Sequence, residues 1–305
     1  MSQQPIVEIK DLSFTYPGAK SPVIKNVSMR IPQGAIYGFL GVNGAGKSTM
    51  MQLLTASLIP EKSVDLQLFG TPLEQQIPEV FKKMGCLIEA PALYTHLTAR
   101  ENLQVVASLK DSAPTEVVIV LQRVGLEAKA DQKVSEFSMG MKQRLGIAMA
   151  LLGSPELLIL DEPLNSLDPQ GVIDIRTLLR TLNEEGVTIV ISSHLLDEIE
   201  KICTHLGVLD KGALVFEGSL NELQRQFQQH FDLRIETQPY AYWYQWISEH
   251  FPGIPVEIEA SALLVSPASQ EQQNALLIAL LKAGAVIEKL TTHKSLEHLF
   301  LNLTQ

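Results

Sequence analysis

The hydrophobic pattern changes character several times along the chain. The stretches "IVEIKDLSF" (6–14) and "PVIKNVSMRI" (22–31) alternate apolar and polar residues, as strands with one buried face do. "AIYGFLG" (35–41) is nearly all apolar, which predicts a strand covered on both faces. "MGCLIE" (84–89), "LLILDEP" (157–163) and "VTIVISS" (187–193) read the same way. Helical periods lie between them. "TMMQLLTASL" (49–58) predicts a helix ended by Pro60, "TARENLQVVASLK" (98–110) one capped by Thr98 with Glu101 at capping-box spacing, and "TEVVIVLQRVG" (115–125) one capped by Thr115. "PQGVIDIRTLLRTLNEEG" (169–186) predicts a helix stopped at Gly186, "HLLDEIEKI" (194–202) another helix, and "THLGVLDKGALVFEG" (204–218) a hairpin turning at Lys211-Gly212. Strands alternating with helices predict a largely parallel α/β sheet.

The pattern shifts near residue 220. "NELQRQFQQH" (221–230) is polar and rich in Gln, and reads as an exposed helix tail or linker. A second unit follows over 231–305, with the order β-α-β-β-α-β-α: "FDLRIE", "YAYWYQWISEH", "VEIEA", "ALLVS", "QEQQNALLIALLKAG", "AVIEKL" and "SLEHLFLNL". That order suits a small two-layer α+β domain. The expected organisation is thus a domain over 1–220, a linker over 221–230 and a small domain over 231–305.

Composition narrows the partners. The 305 residues are 46% hydrophobic and 19% charged, with a net charge of −10. An acidic balance with no basic run argues against non-specific binding to nucleic acid. The two cysteines, Cys86 and Cys203, have no metal-site spacing and read as small buried hydrophobes in a reducing compartment. No apolar run reaches the ~18 residues that a membrane span needs. "NALLIALLKAGAVIEKL" is broken by Lys282 and Gly284, and the N-terminus has no charged leader before an apolar core. A soluble, cytoplasmic protein is expected.

The chemistry concentrates in two stretches. "GVNGAGKST" (41–49) follows an apolar strand and opens a helix, and it fits G-x-x-x-x-G-K-[ST]. In such a loop the backbone N–H groups of Gly41, Asn43, Gly44, Ala45 and Gly46 wrap phosphate oxygens, and the helix start adds its positive end. Lys47 reaches the β and γ phosphates, the Ser48 hydroxyl ligates Mg²⁺, and Thr49 is a further phosphate donor. In "LLILDEP", four apolar residues place Asp161 at the carboxyl end of a central strand, where open α/β sheets bind ligands. Asp161 is the natural Mg²⁺ partner, and Glu162 is placed to polarise an attacking water.

With these residues on the page, the stretch 5–220 resembles the nucleotide-binding subunits of ABC transporters. "EFSMGMKQ" (136–143) is similar to that family's signature, usually Leu-Ser-Gly-Gly-Gln: Ser138 and Gly140 are kept, while Phe137, Met139 and Met141 depart. "NSLDP" (165–169) is similar to the family's D-loop, with Asp168. His194 resembles its switch histidine, and Tyr16 in "SFTYPG" resembles the aromatic that stacks on adenine. The resemblance implies a P-loop NTPase fold of the ABC ATPase type, with a helical subdomain at about 90–155 and the small α+β domain appended. It implies ATP and Mg²⁺ as ligands, with Glu162 and His194 catalytic. Ser138 can cap its helix, and Gly140 lets a backbone approach closely, so the helix start makes an anion site. In this family that site takes the γ-phosphate held by a second subunit, so a homodimer is expected. Hydrolysis then loosens the clamp.

The departures refine this. The family carries a Gln after the strand that enters the helical subdomain, where its amide touches Mg²⁺ and senses the membrane partner. Here Glu89 holds that place, which implies a second carboxylate at the metal, beside Asp161 and the Ser48 hydroxyl, and an altered coupling. "LIEAPALY" with "FSMGMKQRLGIA" resembles most the bacitracin and lantibiotic resistance exporters. A separate membrane permease, docked near "EAPALYTHL" and holding the protein at the cytoplasmic face, follows from that likeness. Two rivals stay in view. A soluble ABC ATPase acting on ribosomes or DNA would carry two cassettes, long coiled coils or basic surfaces. A P-loop GTPase would carry the base-reading Asn-Lys-x-Asp, and a kinase would need no signature helix.

Overall fold

The computed structural model describes residues 4–60, 65–165, 167–193, 196–226, 232–259 and 262–293. Internal contacts divide the chain into two units, Met1–Ser219 and Leu220–Leu303.

In chain order the first unit runs through β1 (Pro5–Phe14), β2 (Ile24–Pro32), β3 (Ile36–Leu40), α1 (Lys47–Leu54), β4 (Asp65–Leu68), β5 (Thr71–Pro72) and α2 (Leu73–Gln76). It continues with β6 (Met84–Leu87), α3 (Ala99–Leu109), α4 (Pro114–Arg123), α5 (Met139–Leu151), β7 (Leu157–Leu160) and α6 (Pro169–Glu184). β8 (Thr188–Ser192), α7 (Leu196–Ile202), β9 (His205–Asp210) and β10 (Ala213–Ser219) complete it.

Two sheets organise this unit. One is antiparallel, in the order β2-β1-β4-β5; the other has the order β10-β9-β3-β8-β7-β6, parallel except for its β10 edge. Every residue of β3, β7 and β8 is buried, which is why their sequences lack alternation. β1 and β2 bury one face only, and they alternate. Helix α1 is buried almost all round: Met50, Met51, Leu53 and Leu54 join a core shared by β1, β2, β4 and the parallel strands. The loop that precedes α1 is therefore clamped against both sheets. Helices α3, α4 and α5 pack on one another, and α5 also packs on β6 and β7.

The second unit starts with α8 (Leu220–Gln226) and continues with β11 (Asp232–Thr237), α9 (Tyr240–His250), β12 (Val256–Glu259), β13 (Ala262–Val265), α10 (Gln270–Lys282) and β14 (Ile287–His293). Its sheet has the order β12-β13-β11-β14 and is antiparallel throughout. Trp243 and Ile247 of α9 and Leu276 and Leu280 of α10 pack on Leu233, Ile235, Leu263 and Val265. This gives two layers. The closing helix expected over "SLEHLFLNL" lies outside the described residues. Among the described residues no helix is long and apolar enough to cross a membrane.

Three local expectations need correction. Helix α1 stops at Leu54, well before Pro60. The Thr55 hydroxyl donates to the Met51 carbonyl at 3.0 Å, and Ala56 sits in the left-handed region at φ 53°, so the helix ends without proline. Thr115 is not a cap: α4 opens one residue earlier with Pro114 in its first turn and Ala113 as the cap residue. Cys86 is exposed on the edge strand β6, whereas Cys203 is buried as expected, and burial pushes its thiol up.

Candidate functional site

The carboxyl ends of β3, β6, β7 and β8 lie in register, and the chemistry-bearing residues gather there. The loop after β3 makes close approaches that only glycine permits. A Cβ on Gly41 would stand 2.6 Å from the Leu209 carbonyl oxygen. Gly46 has φ +108°, and a Cβ on it would meet the Ile24 side chain at 2.6 Å. Gly46 is also the cap residue of α1 and offers no side chain of its own to the helix start. The free N–H groups of the first turn are thus left for a ligand. Asn43, Gly44 and Ser48 are exposed, while Ala45, Lys47 and Thr49 are buried.

Lys47 turns back over the loop. Its Nζ donates to the Gly41 carbonyl at 2.7 Å and to the Val42 carbonyl at 3.3 Å. Burial lowers the pKa of the ammonium group, and the charges of Glu162 and Asp161 oppose that shift. The lysine therefore sits within electrostatic reach of the carboxylates at the end of β7. Asp161 is buried, its N–H donates to the Leu87 carbonyl at 2.7 Å, and its carboxylate accepts the Ser192 hydroxyl. Ser192 Oγ also accepts the Glu162 N–H at 2.9 Å. One serine at the end of β8 thus holds both acidic residues that follow β7. Sequence reasoning missed it, since a Ser in an apolar strand carries no motif.

Glu89 and Glu162 occupy equivalent places. The pairing Leu87↔Leu160 puts each two residues past the end of its strand. Both have left-handed backbones, φ 63° at Glu89 and φ 47° at Glu162. Such a backbone on a glutamate costs about 1–3 kcal/mol and recurs where a site dictates it. Both line one depression with Asp161, Met139, Lys142 and Gln143.

Tyr16 stands half-buried over α1, edge-on to Phe14 at 5.0 Å between ring centres. Its hydroxyl lies 3.1 Å from Thr49 Oγ1 and donates to Gln52 Oε1 at 3.3 Å. Gln52 Nε2 in turn donates to Glu89 Oε1 at 3.3 Å. Gln52 escaped the sequence reading, although its place one turn after Ser48 and Thr49 puts it on their face of the helix.

The signature residues stand apart from this cluster. Ser138 caps α5, its Oγ accepting the Met141 N–H at 3.3 Å. It is exposed, as is Met139, while Phe137 is buried. Ser138 and Gly140 line a second depression with Leu167, Asp168 and Arg144. Asp168 caps α6, accepting the Gly171 N–H at 3.0 Å. Arg144 ties α5 to its surroundings through the Val124 carbonyl at 3.3 Å and Asp174 at 2.9 Å. Met139 borders both depressions. His194 lies outside the described residues.

Comparison with known proteins identifies the family. Residues 24–165 match the family described as ABC transporter. The chain is 37% identical over 304 residues to the bacitracin transport ATP-binding protein BcrA of Bacillus licheniformis, covering 98% of this chain and 97% of that one. That likeness runs through the second unit as well. It is 39% identical over 212 residues to the lantibiotic transport ATP-binding protein SrtF of Streptococcus pyogenes, covering 70% and 90%. Among solved structures it is similar to the dimeric post-hydrolysis state of the ATP-binding cassette MJ0796 bound to ADP and Pi. The TM-score is 0.64 at 26% identity, over 70% of this chain and 98% of that one.

Proposed function

The chain belongs to the ATP-binding subunits of ABC transporters and is an ATPase of that family; from this premise we propose that it powers export through a separate membrane permease. Two copies would close around ATP. The observation that carries this reading is that Ser138, Gly140 and Asp168 line a different depression from the one lined by the carboxylates. Lys47 and the carboxylates form one half-site, and the exposed start of α5 with Asp168 forms the other. A dimer of cassettes is known for the relative MJ0796, and transport of bacitracin and of lantibiotics is named for two relatives. Peptide antibiotics are accordingly the cargo class proposed here, and the transport relatives favour this reading over an ATPase acting on ribosomes or DNA.

The residues divide the work. Tyr16 offers its ring to adenine, and the loop from Gly41 to Thr49 holds the phosphates. Lys47 spreads positive charge over the terminal phosphates. Ser48, Asp161 and Glu89 are hard oxygen donors, the set that suits Mg²⁺. Mg²⁺ held there would offset the charge of the β and γ oxygens. Glu162 accepts the proton of the attacking water, and His194 is proposed to contact the γ-phosphate. Ser138 and Gly140 act on the nucleotide of the second copy through the N-terminal end of α5, and Asp168 acts beside them from the start of α6.

The test is Glu162→Gln. Its turnover should fall by about two orders of magnitude or more, the range for losing a positioned base. The protein should then sediment as a dimer in saturating Mg·ATP. A variant that stays monomeric there, together with wild-type turnover per molecule indifferent to dilution, would refute the paired site.

A further inference from the structure

Three hydrogen bonds run in one direction across the top of α1. The Gln52 amide faces the Glu89 carboxylate, an acceptor, with its nitrogen. That choice turns Gln52 Oε1 toward Tyr16, which then donates its hydroxyl proton to it. The remaining bond, from Thr49 Oγ1 to the Tyr16 oxygen, completes the series at 3.1 Å. Every donor thus points toward the one anion at the end. Bonds aligned in this way polarise one another. The series links the aromatic at the base end of the site to the carboxylate at its metal end. Gln52 is the sole side chain in it that the proposed chemistry does not already use.

We propose that Gln52 is a positioning residue that holds Glu89 toward the phosphate loop and couples it to Tyr16. The inference rests on the roles of Tyr16 and Glu89 given above. Its physical content concerns geometry. Glu89 is exposed, on a left-handed backbone, beyond the end of an edge strand. A carboxylate in that position has many rotamers within reach of water. A charge-assisted bond from the Gln52 amide selects the rotamer that reaches α1 at Gln52.

The experiment measures ATP binding by calorimetry on the full chain, in Mg²⁺ and in EDTA, and takes the ratio of the two affinities. Gln52→Met keeps the length of the side chain and removes both hydrogen bonds. It should lower the ratio by about 5–10-fold, within the range of ordinary site-to-site coupling, while affinity in EDTA moves less than about two-fold. In a Glu89→Ala background the same substitution should leave the ratio unchanged. Gln52→Leu removes the same two hydrogen bonds with a different side chain, so it should lower the ratio as far. It also serves if Gln52→Met folds poorly. An equal drop in the Glu89→Ala background, or no drop in the native one, overturns the proposal. If Glu89→Ala itself leaves the ratio at the native value, the metal-side role of Glu89 fails, and this inference with it. If Glu89→Ala lowers the ratio while Gln52→Met does not, only the role of Gln52 fails.

Discussion

The end of β7 and the start of α5, the two half-sites proposed above, are built in opposite ways. At β7 the carboxylates, the lysine and the serine hold one another: Ser192 bonds both Asp161 and the Glu162 backbone, and Lys47 is folded over its own loop. That surface is internally wired and partly buried. At the start of α5, Ser138 and Asp168 are committed to capping. Ser138 and Asp168 each satisfy one backbone N–H of their own helix, and Met139 next to them is 62% exposed. On the proposed reading the first surface binds nucleotide within one chain, and the second, an oriented helix end open to solvent, meets the nucleotide of another copy.

The contrast breaks most sharply if the two surfaces are disabled one at a time. Lys47→Ala should remove about 2–5 kcal/mol of ATP binding, the cost of deleting one partner of a buried charge contact. Affinity measured on the monomer should then fall ~30-fold or more. Gly140→Asp should do the reverse. An aspartate in the first turn of α5 suits the helix dipole, so the fold is not harmed. Its charge, however, meets the terminal phosphate that must dock there. Turnover should drop by about two orders of magnitude, as for loss of an oxyanion donor, with ATP affinity of the monomer unchanged. If both variants lose ATP binding equally, the two surfaces serve one nucleotide within one chain, and the comparison above is wrong.

The two surfaces also differed in how well the sequence announced them. The phosphate loop is local: its glycines and Lys47 lie within nine residues, so spacing alone placed them. Asp161 and Glu162 follow an apolar run whose burial was readable from its lack of alternation. The capping box of Thr98 and Glu101 was equally local, and both of its bonds form. What stayed hidden depends on packing between distant segments. Gln52 meets Glu89 across 37 residues and Ser192 meets Asp161 across 31. Neither pairing leaves a period or a motif. The burial of Cys86 was misread for a related reason, because edge or centre in a sheet is set by strand order, which propensity does not encode. Helix ends went wrong where a left-handed residue such as Ala56 acted before the visible proline.

A smaller effect would sharpen the same contrast from the stability side. Arg144 fastens the start of α5 on two sides, to the carbonyl at the end of α4 and to Asp174 on α6. Arg144→Met keeps the apolar stem and removes both bonds. Asp174 is partly exposed and regains water, so the loss is modest, about 1 kcal/mol, or roughly 2–4 °C in the unfolding midpoint of a domain this size. The Gln170 amide and then the Arg144 guanidinium hold the Asp174 carboxyl below the usual carboxylate range. A group with its folded pKa depressed contributes stability above its unfolded pKa and loses it as the pH falls through the folded value. The gap between native and Arg144→Met midpoints should therefore narrow in acid, once Asp174 is protonated, and the Gln170 bond should keep it from being the only term. Turnover should fall more than stability accounts for, because a loosened α5 presents its end at the wrong angle to the second copy, while ATP binding by the monomer stays native. A gap that persists undiminished in acid would mean that the Val124 carbonyl carries the effect and Asp174 does not.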